Sequence, residues 1–431
     1  MIRVLRVLCL LVVLGAVAAG LLMWKGWGAG PIPPASVDLA SLDGPARADL
    51  IARGEQVARA GDCAACHTDP DGGSDLAGGM PMVTPMGTIY GTNISPSETH
   101  GIGGWSADDL YTAIAWGVAP GGRNLYPAMP YVSYHAITRA DSDALYAWLM
   151  AQPPVEKPNT PNRLIPPFNL RFGVSLWNAV FRPDAAPFQP ATDETPEAAR
   201  GRYLVDVLGH CGECHTPRNL AYAMTGQPLA GNVIEGALAP NLTPDALVQR
   251  GWTAGDLERF LASGLAPQGV MTFRMFPVLS HSTSHMPPED IKAITSHLLA
   301  GRSAPGPVPR PVAGTPDAAG HQLYLGLCAG CHGPNGTGQP HSSVPLNTNT
   351  TAMFDDPINL VRIIREGVEA RDLAQGERMQ AMPGFADRLD DTQMAQLVSY
   401  LRQRWGGHAD PVAADRIAEI IRRVDGVEAA H

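Results

Sequence analysis

The pentapeptide Cys-x-x-Cys-His occurs three times in this chain, as Cys63-Ala-Ala-Cys66-His67, Cys211-Gly-Glu-Cys214-His215 and Cys328-Ala-Gly-Cys331-His332. Together the copies use six of the seven cysteines. The spacing is that of covalent c-type haem attachment. Two thiols one short turn apart meet the two vinyl groups, and the histidine that follows at once lies under the iron. Other readings each fail on a specific point. A thioredoxin-like Cys-x-x-Cys needs a βαβ setting, and no copy is preceded by a strand-like run. Structural zinc needs four ligands per site, and three copies do not divide into pairs. Disulfides within the motifs would leave the histidines unexplained. The chain is therefore expected to carry three covalent haems c. Cys9, the seventh cysteine, lies in an N-terminal apolar segment, and its flanks Arg6 and Leu8 do not suit a lipoprotein cysteine.

At 431 residues the chain has room for three modules of about 100 residues plus linkers. Its formal net charge of −10 argues against a nucleic-acid partner. Low aromatic content with 46 glycines and 40 prolines suits loop-rich domains built around a cofactor. Strand-like alternation of useful length is missing, so an all-α fold with long loops is expected.

Arg3 and Arg6 precede an uncharged run of 18 residues, Val7 to Trp24, just long enough to span a bilayer. Ala16-Val17-Ala18 offers a signal-peptidase-like site, but the apolar run continues past it, and Trp24 and Trp27 resemble interface anchors. An uncleaved anchor is the preferred reading and a cleaved signal the alternative. Either one leaves Arg3 and Arg6 cytoplasmic and exports the rest.

Three landmarks recur in register with the motifs. Upstream is a short helical stretch expected to open with Gly54, Gly201 or Gly320. Downstream a second helix runs from Leu110 to Gly117, Leu257 to Gly264 and Leu360 to Gly367, seven residues each time. Ser106 and Thr253 are good N-caps for the first two, with Asp109 and Asp256 three positions on. A closing helix contains Ala144–Leu149, Ala293–Leu298 or Gln396–Leu401. First and closing helices are expected to cross, with the upstream glycine allowing close approach. The Pro-rich linker from Pro153 to about Ala191 carries Phe168, Phe172, Trp177 and Phe181 and is expected to pack across the first two modules. The linker from Ala304 to Ala319 is expected to be extended and mobile, leaving the third module loosely attached.

Each iron needs a sixth ligand. The repeat points to the loop before the closing helix: Met129 in Leu-Tyr-Pro-Ala-Met-Pro, and Met382 in Ala-Met-Pro-Gly-Phe, 62 and 50 residues past their histidines. In the second copy Met271, Met275 and Met286 compete. Met275 is preferred, 60 residues past His215, with Met271 the main rival. His281 and His285 would give bis-histidine ligation. Met394, on a closing helix, reads as a core residue. His100, His135, His210, His321, His341 and His408 have no repeat counterpart and read as solvated or loop-bonding.

Five further segments stand out: Thr84-Pro-Met-Gly-Thr-Ile-Tyr-Gly-Thr-Asn-Ile94, Gly101-Ile-Gly103, Leu125-Tyr-Pro-Ala-Met-Pro-Tyr131, Trp177-Asn178, and Gly209-His-Cys211 through Cys214-His-Thr-Pro-Arg-Asn219. On these residues the chain resembles the triple-haem cytochrome c subunits of bacterial membrane-bound alcohol, gluconate, sorbitol and fructose dehydrogenases. The resemblance extends from about residue 50 to 405. It implies axial ligands His67, Met129, His215, Met275, His332 and Met382. One departure is local: Met275-Phe-Pro-Val-Leu279 stands where the family carries Met-Ala-Glu-Val-Val.

The expected layout is a signal or anchor at 1–27 and three tandem cytochrome c domains at 46–152, 195–303 and 318–406. Linkers fill 153–194 and 304–317, and a charged tail fills 407–431. An amphipathic run in that tail, Arg416 to Val424, reads as solvated, or else as lying on a membrane or partner.

The resemblance implies an electron-transfer subunit on the periplasmic side of the inner membrane. It would serve a quinoprotein, flavoprotein or molybdenum dehydrogenase acting on an alcohol, sugar, sugar acid or aldehyde, with a small third subunit as an optional further partner. Electrons would leave to ubiquinone or a terminal oxidase. A free-standing membrane carrier is the alternative, and a haem peroxidase a third reading. No catalytic apparatus for an organic substrate is visible.

Overall fold

The computed structural model describes residues 2–39 and 41–428, so the last three residues of the tail lie outside the described residues. The fold is mostly helical. Helix α1 spans Ile2–Gly26. The first Cys-x-x-Cys-His region holds α2 (Gly44–Ala60), α3 (Cys63–His67), α4 (Ala107–Trp116), α5 (Tyr131–Tyr134) and α6 (Arg139–Leu149), followed by α7 (Phe172–Phe181). Around the second lie α8 (Pro196–Tyr203), α9 (Gly212–His215), α10 (Pro244–Gln249), α11 (Ala254–Ser263), α12 (Met275–His281) and α13 (Pro288–Leu299). The third has α14 (Ala318–Leu327), α15 (Ala329–His332), α16 (Ile358–Glu366) and α17 (Asp391–Leu401), and α18 (Ala414–Glu428) closes the chain.

The same helix pair crosses in each region: α2 with α6, α8 with α13, and α14 with α17. One buried glycine makes each crossing possible. A β-carbon on Gly54, Gly201 or Gly320 would collide with the backbone carbonyl of Ala144, Ala293 or Gln396, respectively. Glycine costs about 0.5–1 kcal/mol in a helix interior, and here that cost is offset by backbone-to-backbone packing. Ser106 and Thr253 cap α4 and α11 by accepting from the amides of Asp109 and Asp256, as expected. Gly117, Gly264 and Gly367 end their helices at φ of 65°, 82° and 81°.

The all-α expectation needs one amendment. Short antiparallel hairpins accompany each region, at 81–90, 118–124, 232–239, 265–270 and 371–379. Their strands are two to four residues long, too short to leave a period-2 signal.

The chain divides into two compact units. One holds residues up to Thr192 with Asp206–Glu213 and Asn219–Ala223; the other holds Asp193–Val205, Cys214–Arg218 and everything from Met224 on. This corrects the expected loose third module, because most of the second region and all of the third share the second unit. Within it Asn359 both donates to the Leu238 carbonyl and accepts from its amide, each at 2.8 Å. The Ala304–Ala319 linker is tied at both ends, through Ala304 N–H to Trp252 O (3.1 Å) and Ala313 N–H to Gln403 O (2.9 Å). The amphipathic run in α18 keeps Glu419, Arg422 and Arg423 in solvent, but its apolar face is not free for a membrane. Ile417, Ile420 and Val424 join the core formed by α16 and α17.

In the first unit, the 18-residue window Cys9–Gly26 of α1 has a mean hydropathy of 2.0, consistent with a membrane anchor or a signal sequence. The stretch after it is stitched to the first region. Trp116 Nε1 donates to Pro31 O (3.3 Å), and the Ser36 amide and hydroxyl both donate to the buried Asp143 carboxylate (2.7 and 2.6 Å). The Pro-rich linker packs only in part. Trp177 Nε1 donates to Ala221 O at 2.9 Å, whereas Phe168 and Phe172 stand about half exposed.

Candidate haem-binding sites

Each Cys-x-x-Cys-His motif folds as one short helical turn ending on its histidine: α3, α9 and α15. That geometry puts both thiols and the imidazole on one local scaffold. Burial pushes the Cys63 thiol up to about 12 and the Cys328 thiol up to about 11. Thiols held protonated in this way are unlike the low-pKa cysteines of disulfide exchange.

The three imidazoles are held alike. His67 Nδ1 lies 2.6 Å from Thr92 O, His215 Nδ1 2.7 Å from Pro240 O, and His332 Nδ1 3.0 Å from Val344 O. A carbonyl accepts only from N–H, so each ring carries its proton on Nδ1 and presents an unprotonated Nε2, the arrangement a metal-ligating histidine needs. Desolvation lowers the pKa of all three, that of His215 to about 4, so the rings are neutral at physiological pH. A further bond fixes the turn: the amides of Gly78, Gly231 and Gly338 donate to the carbonyls of His67, His215 and His332 at 2.7, 2.7 and 2.9 Å. The donor set thus fits covalent haem c.

These carbonyls and glycines escaped the sequence reading. Thr92, Pro240 and Val344 act through the backbone, which leaves no side-chain signature. Gly78, Gly231 and Gly338 all have positive φ, but they fall 11, 16 and 6 residues past their histidines, so no fixed spacing reveals them.

The methionine loops approach the glycines that end the second helices. A β-carbon on Gly117 would strike the Tyr131 ring, on Gly264 the Leu279 side chain, and on Gly367 the Met382 carbonyl. Met129, Met275 and Met382 are each half-buried. In the first region the Leu125 amide donates to Gly117 O (2.7 Å), and in the second the Met271 amide donates to Gly264 O (2.9 Å). Met271 is therefore the backbone counterpart of Leu125. Four residues on from each stand Met129 and Met275. Met271 itself is 1 % exposed and packed in the core, as is Met394 at 2 %.

Neighbouring side chains hold these loops. Tyr131 Oη donates to Asn178 Oδ1 (2.7 Å), Asn178 to Asn124 Oδ1 (3.3 Å), and Asn124 to Ser175 Oγ (2.9 Å), so α7 braces the Met129 loop. Beside Met275, the Arg371 guanidinium lies 3.7 Å from the Phe276 ring centroid and donates to Met271 O at 3.2 Å. Among the remaining histidines, His210 packs edge-on against Tyr134, His321 stacks on Tyr400, and His285 Nε2 bonds Ser280 O.

Comparison with known proteins agrees with this chemistry. The cytochrome c family model matches residues 51–153 and 318–405. The chain is 37% identical over 427 residues to the gluconate 2-dehydrogenase cytochrome c subunit of Pantoea cypripedii, covering 90% of this chain and 93% of that one. It is 36% identical to the cytochrome c subunit of the quinone alcohol dehydrogenase of Gluconobacter oxydans, over 84% of this chain and 79% of the relative. It is 38% identical to one of the subunits of the nicotinate dehydrogenase of Pseudomonas putida over 86% of this chain, which spans 32% of that longer protein. The chain belongs to the family of cytochrome c subunits associated with bacterial dehydrogenases, electron-transfer subunits with covalent haem c and an accessory rather than catalytic role.

Proposed function

We propose that this chain, as a cytochrome c subunit, holds three haems c and passes electrons, on the periplasmic side of the inner membrane, from a partner dehydrogenase to ubiquinone or a terminal oxidase. The observation that carries the reading is the threefold recurrence of one donor set: two cysteines on a helical turn and a histidine whose Nδ1 is tied to a carbonyl. Cys63 and Cys66, Cys211 and Cys214, and Cys328 and Cys331 would hold the porphyrins. His67, His215 and His332 would take one axial position, and Met129, Met275 and Met382 the other. Bound haem supplies a one-electron iron couple at each site. The chain's own task is to fix the imidazoles, keep them neutral, exclude water and hold the methionine loops.

The relatives' partners oxidise gluconate, alcohol and nicotinate. Their similar identities to this chain favour none of those substrates, so the partner is proposed only as a dehydrogenase of an alcohol, sugar, sugar acid or related compound. With Arg3 and Arg6 on the cytoplasmic side, α1 is read as a retained anchor.

Haem stoichiometry tests the number directly. The pyridine haemochrome absorbance should correspond to three haems per chain, falling by one third in the paired variant Cys211→Ala, Cys214→Ala; a value of two in the native chain overturns the reading. Met129→Ala should keep haem bound, abolish one Met–Fe(III) charge-transfer band and lower one potential; an unchanged titration removes Met129 as ligand. Affinity capture from detergent-solubilised membranes should bring down a dehydrogenase stoichiometrically. Recovery of the chain alone or with an oxidase would make it a free-standing carrier.

A further inference from the structure

The first unit carries an apolar surface that its own core does not use. Between the short strand at 163–164 and α7, every residue from Ile165 to Gly173 is exposed. Ile165, Phe168, Leu170 and Phe172 stand 48–53% exposed. Val180, two turns along α7 from Phe172, is 64% exposed, with the half-buried Leu176 between them. Soluble surfaces scatter such residues singly; a contiguous group marks an interaction site.

The position of this surface relative to α1 identifies what covers it. Gly26, the last residue of α1, lies against the backbone of α7, where a β-carbon would collide with the Ser175 carbonyl and the Ala179 amide. The Asn124 side chain donates both to Gly26 O (3.4 Å) and to Ser175 Oγ (2.9 Å), fixing the same junction. Trp24 and Trp27 flank Gly26 and are 79% and 57% exposed. Exposed tryptophans at the end of a spanning helix sit at headgroup depth. A helix packed on Gly26 is at that depth too.

We propose that the loop Ile165–Phe172 and the outward stripe of α7 rest in the headgroup region of the bilayer that α1 crosses. The chain then has a second, monotopic contact with the membrane, which holds the first unit down on the surface rather than letting it swing on a single-helix tether. The proposal rests on α1 being a retained span. Residues that face outward here would otherwise be an aggregation liability; in the interface their burial is favourable.

The test uses the full haem-loaded chain as isolated, with each collision rate taken relative to the same sample under nitrogen so that relaxation by the haem iron cancels. It is reconstituted in phosphatidylethanolamine–phosphatidylglycerol vesicles with Cys9→Ser to remove the free thiol. A nitroxide is placed through Phe168→Cys or Phe172→Cys, with Glu55→Cys on the exposed face of α2 as reference. These positions are exposed, so the substitutions leave the core intact. Collision with oxygen, which partitions into lipid, is compared with collision with a water-soluble nickel chelate. The expected oxygen-to-nickel ratio at 168 and 172 is several-fold higher than at 55. Equal ratios at all three positions overturn the proposal. Protection that arises only when the partner dehydrogenase is added also overturns it, assigning the surface to a protein partner. The N-terminal mass of the mature chain reports separately on the anchor. A cleaved chain whose nitroxides are lipid-exposed keeps the surface contact and removes the span; an intact α1 with nickel-accessible nitroxides removes the contact alone.

Discussion

The first two Cys-x-x-Cys-His regions and the third reach the same site by different local routes. In the first two, a residue in the left-handed region precedes the first cysteine, Asp62 at φ 51° and His210 at φ 35°. In the third, α14 runs through Leu327 straight into Cys328. The glycine-to-cysteine spacing explains the difference: 9 and 10 residues in the first two, 8 in the third. The extra residues must be absorbed, and a left-handed residue turns the chain within one position.

The crossings differ as well. Arg53 pairs with Asp141 at 2.8 Å, and Arg200 clamps Asp290 with two bonds of 2.8 and 2.7 Å, at equivalent places on the crossed helices. The third region has Ala319 and Gln393 there, and a cavity of about 570 Å³ opens beside them, lined also by Leu323, Leu327 and Leu389. The third crossing leans instead on Tyr324, Tyr400 and Trp405, packed with centroids 5.2–6.0 Å apart. What the three regions share is close helix backbones and a helical turn carrying the Cys-x-x-Cys-His motif; how the crossing is reinforced varies.

The largest effect should come from the feature all three regions share. Gly201→Val or Gly320→Val forces two backbones apart and should cost on the order of 3 kcal/mol, seen as a lower melting temperature and reduced haem content per chain. If Gly320→Val is tolerated while Gly201→Val is not, the aromatic-backed crossing does not depend on backbone contact.

Next in size, Met271→Ala empties a core position at a cost of about 2–3 kcal/mol but should leave every haem potential in place. Met275→Ala should do the reverse. A shifted potential in the first and none in the second would exchange their roles.

Asp62 separates the first region from the third. Burial raises its carboxyl to about 8, and Oδ1 is buried with no hydrogen-bond partner. An acid whose folded pKa is raised costs nothing below its unfolded pKa and progressively more as pH rises towards the folded value. The penalty should therefore grow from about pH 4 to about pH 8. Asn tolerates the left-handed conformation, so Asp62→Asn should raise the melting temperature at pH 8 and flatten its fall between pH 5 and 8, by calorimetry. An unchanged slope means the carboxyl finds a partner.

The smallest effect is at the clamp. Arg200 is 39% exposed, so solvent screening keeps Arg200→Ala to about 1 kcal/mol. Installing the pair as Ala319→Arg with Gln393→Asp should return a few tenths of that to the third crossing. Chemical denaturation of each variant gives both numbers.

Much of the site is local and was legible in the sequence. Two thiols and an imidazole on one turn need only five consecutive residues, and the seven-residue Leu-to-Gly interval recurs because one short helix must end on a left-handed glycine each time. The three crossing glycines recur visibly in the sequence, but they open no helix: α2 starts ten residues before Gly54, α8 five before Gly201 and α14 two before Gly320. What tertiary structure decided is what depends on chain segments far apart. The carbonyl that orients each histidine comes from a loop 12 or 25 residues away, and it acts through backbone atoms that every residue possesses. Met271 sits in the core, its amide bonded to Gly264 O, and Met275 heads α12 four residues on; composition alone does not separate the two. The docking of α18 uses what in sequence is an ordinary amphipathic run, and the Asn359–Leu238 tie, which joins the third region to the second, uses a side chain to which the sequence assigns no such role. Covalent attachment chemistry is written in short-range spacing; the imidazole's orientation and the grouping of the regions are long-range, and only the folded chain brings those atoms together.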